Sequence, residues 1–104
     1  MKYIISTTAR AGASGKENEA SIARVLGMLI QWKPPASMTI HHWFSRLDGG
    51  GGFAVVETDD PAALMATSSK FAPYFDFQIV PVIDFAESVP AWQEGVEFRA
   101  ASTD

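Results

Sequence analysis

Apolar and polar positions along this chain of 104 residues change their period several times, and each change marks an element. Residues 2–8, KYIISTT, are β-branched and aromatic and predict a first strand. Residues 9–18, ARAGASGKEN, are small and polar and predict a loop. From Glu19 the spacing becomes helical. Ile22, Val25, Leu26 and Leu29 form one amphipathic stripe, which Met28, Ile30 and Trp32 broaden, and Pro34-Pro35 stops the helix. Residues 37–47, SMTIHHWFSRL, predict a second strand and FAVVET from Phe53 a third, joined through Asp48 and the run Gly49 to Gly52. Glycine tolerates positive φ, so this run suits a tight hairpin. Asp60 can cap a second helix that starts at Pro61. Residues 74–83, YFDFQIVPVI, predict a fourth strand, and Pro81 places it at an edge because proline donates nothing to a ladder. Asp84 and Glu87 have capping-box spacing, which predicts a short third helix through about Gly95 and a loose tail over residues 97–104.

The order β-α-β-β-α-β plus a terminal helix is the split βαβ pattern of an α+β, ferredoxin-like fold. It carries no repeat and no linker, so residues 1–104 are expected to form a single domain. In that arrangement two helices cover one sheet face. The other face is solvated, covered by a partner or used for a ligand.

Composition narrows the classes of partner. Hydrophobic residues make up 47% and charged residues 19%, a globular mix. The net charge is -4 with no basic run, which argues against nucleic acid and anionic membranes as partners. The absence of cysteine excludes disulfides, thiolate catalysis and cysteine-based metal centres. The start MKYIISTTAR has only a three-residue apolar run, short of the roughly 7–15 residues of a secretory h-region. The expectation is a cytoplasmic protein without a membrane span.

The densest chemistry lies in IHHWFSRLDGGGGFAVVE, residues 40–57. Neighbouring side chains of a strand point to opposite faces, so His41 and His42 do not readily share a metal ion. They are the only histidines, and neither a metal nor a cofactor is expected. A hairpin that pairs Asp48 with Phe53 would set Arg46 against Val55 and Phe44 against Glu57. His42, Phe44, Arg46 and Glu57 would then share a face as a candidate ligand cleft. In one reading Arg46 binds an anionic group and His42 or Glu57 works as acid or base. In the other, Arg46 and Glu57 form an ion pair with His42 hydrogen-bonded beside it. Trp43 suits core or interface. GASGKE fails as a phosphate loop, since Arg10 stands where the first glycine belongs and Glu17 where Ser or Thr is needed. No serine has the context of an activated nucleophile.

The start MKY, the segment GGFAVVETDDPAAL and the segment FDFQIVPVID resemble the bacterial family DUF3303, one of the dimeric α/β-barrel proteins. The likeness is best over Gly52 to Leu64 and Phe75 to Asp84. It implies a ferredoxin-like subunit whose bare sheet face packs on a second copy as a homodimer, and it brings no established activity. The loop after the first strand and the four-glycine turn depart from the family's pattern.

Three functions follow from these residues. The first is a non-catalytic module that binds a small apolar or aromatic molecule between sheet and dimer partner. The second is a cofactor-independent monooxygenase- or isomerase-like enzyme, an analogy of fold alone. The third is a structural or interaction module whose bare face serves assembly.

Overall fold

In KYIISTTA, Tyr3, Ile5 and Thr7 alternate with Lys2, Ile4 and Ser6, and this alternation decides which side of the sheet becomes the core. The computed structural model describes residues 1–102. Its elements are β1 Lys2–Ala9, α1 Gly15–Gln31, β2 Met38–Ser45, β3 Gly51–Thr58, α2 Pro61–Phe71, β4 Phe75–Val82 and α3 Phe85–Ala101. The strands lie in the order β2-β3-β1-β4, and every neighbouring pair is antiparallel. This is the ferredoxin-like α+β arrangement expected from the element order, with β1 and β3 central and β4, which holds Pro81, at an edge. The core forms where Met38 and Val56 of the sheet meet Ala63 and Leu64 of α2, with Tyr3, Ile5, Ala54 and Ile79 packed around them. Val56 is the most deeply buried, at 2% exposure. Ile4, Phe44, Phe53 and Val80 point from the opposite face and stay exposed.

Helix α1 starts at Gly15, four residues before Glu19, where the helical spacing was expected to begin. Ser14 accepts from the Glu17 amide at 3.1 Å, and Glu17 accepts from the Ala13 amide at 2.7 Å. Of the loop expected over residues 9–18, residues 10–14 connect β1 to α1, and the last four residues are a capped helix start instead. At α2 the proline at the first position works as expected, but Asp60 makes no side-chain cap bond. Thr58 instead accepts from the Asp60 amide, at 3.0 Å.

The hairpin differs from the expected one. Phe44 faces Phe53 and Ser45 faces Gly52, so β2 ends before Arg46. A register shift between Ile40 and His42 leaves His41 as an extra residue. Gly49 has φ 73° and Gly51 φ 146°, conformations that favour glycine. A Cβ on Gly51 would also fall on the Thr7 carbonyl, so the glycine run serves both the turn and the approach of β3 to β1.

Helix α3 is longer than expected. Its 17 residues include 97–101, which were expected to belong to a loose tail; residues 103–104 of that tail lie outside the described residues. No residue of α3 is buried. The radius of gyration is 18.7 Å, against about 13 Å for a globular chain of this length.

Candidate functional site

Side-chain chemistry gathers at three places: the hairpin tip, the bare sheet face, and a cleft between α1 and the sheet. At the tip, the Arg46 guanidinium pairs with Asp48, and Asp48 accepts from the Gly50 amide at 2.9 Å. The Gly50 hydrogen bond, then Arg46, hold the Asp48 carboxyl below its usual pKa of 3.8. Both partners are exposed, so the pair shapes the turn and little more.

On the bare face, Glu57 is bonded by His41 and not by Arg46. His41 Nε2 donates to Glu57 Oε1 at 2.9 Å. The bulge makes this possible, because an extra residue on β2 lets His41 lean toward the Glu57 side of the sheet. His42 stacks on Phe44, with ring centroids 5.6 Å apart and planes 11° apart. Of the four candidate cleft residues, His42 and Phe44 are thus brought together. Arg46 is drawn away to the tip, and Glu57 sits beside the other histidine. The expected pairing of Arg46 with Val55 and of Phe44 with Glu57 is corrected by this register.

A wide concavity lies on the helix side. Its volume is about 680 Å³, within the 300–1,000 Å³ typical of ligand pockets. Ile5, Ile40 and Ala54 form its floor, Val25 and Leu29 of α1 one wall, and Trp43 the rim toward β2. Trp32, at the end of α1, meets Trp43 edge to face at 5.9 Å and Phe71 at 6.3 Å. The Trp32 Nε1–H is buried with no acceptor among the described residues. At the other end, Arg10 lines the cleft and donates through Nε to Asp76 Oδ1 at 2.8 Å. Phe44 also touches this cleft, whereas His42, Arg46 and Glu57 do not line it. No histidine or carboxylate lines it among the described residues.

The cleft was missed in the sequence because the stripe of α1 and the tryptophans read as core. The available signal was that two tryptophans close together in the chain, Trp32 and Trp43, flank the α1–β2 connection. Among the described residues no three His, Asp or Glu side chains gather as a cation site, and no helix is long and apolar enough to cross a membrane.

No curated protein matches the sequence. The model of the domain of unknown function DUF3303 matches residues 1–96, all the strands and most of α3 included, and the chain belongs to that family.

Proposed function

We propose that this protein binds a small apolar or aromatic molecule carrying one hydrogen-bond acceptor, without catalysing its conversion, and works as a homodimer. The observation that carries the reading is the apolar cleft walled by two tryptophans, one with a buried and unpaired indole N–H. A buried donor without a partner costs about 1–3 kcal/mol, and a ligand that repacks the Trp32–Trp43 corner so that its carbonyl or carboxylate oxygen reaches Nε1 relieves that cost. The Trp32–Trp43 corner supplies aromatic edges and faces for a flat ligand. The absence of a histidine or carboxylate from the lining weighs against acid–base turnover there. On the bare face Ile4, Phe44, Phe53 and Val80 form an apolar centre, and His42 on Phe44 and His41 on Glu57 edge it. This face is the proposed contact with a second copy, and Phe44 joins that contact to the cleft.

Titration with the apolar, anionic dye anilinonaphthalene sulfonate tests the binding reading. One saturable site per chain is expected, with affinity reduced about tenfold in Trp43→Ala, a loss of about 1.4 kcal/mol. Trp43 is 57% exposed, so that variant still folds. Dye binding that fails to saturate, or that ignores the substitution, would remove the reading.

A further inference from the structure

Helix α3 carries an apolar stripe that is exposed along its length. Phe85, Val89, Trp92 and Val96 follow one another at helical spacing, and all four are exposed, Phe85 by 80% and Trp92 by 66%. Asp84 stands at the N-cap position of α3 without the expected side-chain cap bond, and its carboxylate pairs with Lys2 at 3.2 Å, which ties the root of the helix to β1. The chain spans 62 Å along its longest axis. It exposes 7810 Å², where a folded monomer of 11.3 kDa exposes about 5,700 Å². The surplus of roughly 2,100 Å² per chain doubles, in a pair, to the size of an obligate homodimer interface.

A second unpartnered ridge lies on α1. Ile22, Leu26 and Ile30 recur at every fourth residue and are 57%, 56% and 85% exposed. Ile22 and Leu26 stand at the mouth of the cleft. Both helices have 17 residues, so the two ridges match in length. Helix α3 is net acidic, with Glu87, Glu94 and Glu97 against Arg99, whereas α1 is balanced, with Lys16 and Arg24 against Glu17 and Glu19, so the ridges meet without opposing like charge.

We infer that α3 is an exchanged arm: it lies along α1 of a second copy and closes the mouth of that copy's cleft. This rests on the cleft reading only for what the arm closes, not for where it docks. Packing of one ridge beside the other buries Trp92 near the middle of the contact, the usual place of an energetic anchor. The bare sheet face is left free for the contact between the two sheets. Each copy covers the other's cleft, so the complete binding site belongs to the pair.

The chain contains no cysteine, which makes single-cysteine cross-linking unambiguous. Chains carrying Ile22→Cys and differently tagged chains carrying Gln93→Cys, on α3 beside Trp92, are mixed and treated with a short bismaleimide. A heterodimer bearing both tags is expected, with the yield at least about tenfold below it when Ser6→Cys on the bare face replaces Ile22→Cys. A product formed equally or better with Ser6→Cys would place α3 on the sheet face and overturn the proposal. A cross-link formed only within single chains that carry both Ile22→Cys and Gln93→Cys would show the arm folding back, and no cross-link at all would also overturn it. Dye titration of the same mixtures separates the two readings. Cross-linking without saturable dye binding keeps the arm and removes the ligand, and the reverse keeps the ligand and removes the arm.

Discussion

His41 Nε2 lies 2.9 Å from Glu57 Oε1, although the ladder pairs Glu57 with Thr39. The contact exists because the bulge between Ile40 and His42 inserts one residue into β2. In the isolated chain the two side chains are 37% and 49% exposed, so water screens them. A double-mutant cycle with His41→Ala and Glu57→Ala, read by urea unfolding under dilute, monomeric conditions, should give a coupling of about 0.2–1 kcal/mol. At dimer concentrations a larger coupling is expected, because the proposed contact removes water from the pair. Equal couplings at both concentrations would place the pair outside the interface.

Phe44 and Phe53 face each other across the hairpin and stay 59% and 47% exposed. Replacement of either by Glu should leave the fold intact, since neither belongs to the core, and should weaken the dimer at least about tenfold. Sedimentation over a concentration series measures this. A variant that dimerises like the parent chain would exclude the sheet face from the contact.

Gly51→Ala tests the close approach of β3 to β1. The residue would have to adopt φ 146° and seat its Cβ on the Thr7 carbonyl. A loss of more than about 1 kcal/mol is expected, beyond the ordinary effect of a glycine replacement. Chemical denaturation with an unchanged slope would measure it as a change of stability alone.

The sequence was most legible where a single residue forces a choice. Pro61 after Asp60 marked the start of α2, and Pro81 marked an edge strand, because a missing N–H leaves few alternatives. Spacing alone was weaker. Residues 97–101, EFRAA, read as a tail because they add no clear apolar repeat to α3, yet they continue its hydrogen bonding. The capped start at Ser14 was hidden among small polar residues, although Glu17 stands three residues on. The candidate site suffered most from register. With four glycines the turn could close in several ways, and the observed closure moved Arg46 off the strand. The bulge then placed His41, rather than His42, against Glu57. Neither shift leaves a mark in the hydrophobic pattern, since both conserve the alternation on β3.

Acid should loosen the hairpin tip. The Asp48 carboxyl titrates below 3.8 in the folded chain, held down first by the Gly50 amide and then by Arg46. A lowered folded pKa means that the unfolded chain takes up its proton first as pH falls. The stabilisation is therefore complete well above pH 3.8 and is lost as the pH drops through the lowered value. The Gly50 amide resonance should report this with an inflection below 3.8 that is absent in Asp48→Asn. An inflection at or above that value would show that the hydrogen bond does not favour the carboxylate.

Trp32→Phe separates the packing of the indole from its orphaned donor. The phenyl ring can keep the edge-to-face approach to Trp43 and Phe71 while removing the buried Nε1–H. Loss of the larger ring destabilises, and loss of an unpaired buried donor stabilises by about 1–3 kcal/mol, so the two effects oppose each other. Little change in the stability of the unliganded chain is therefore expected, against a clear loss in Trp32→Ala, where the half-buried ring itself is gone. The liganded protein should behave differently. Saturating anilinonaphthalene sulfonate should raise the urea midpoint of the parent chain more than that of Trp32→Phe, because only the parent has an indole donor for the sulfonate to reach once the Trp32–Trp43 corner repacks around the dye. Equal shifts would assign the dye to a purely apolar contact and remove Trp32 from ligand recognition. A large destabilisation of the unliganded Trp32→Phe chain would mean that the indole donor already has a partner, and the cleft would lose the feature that marks it as a binding site.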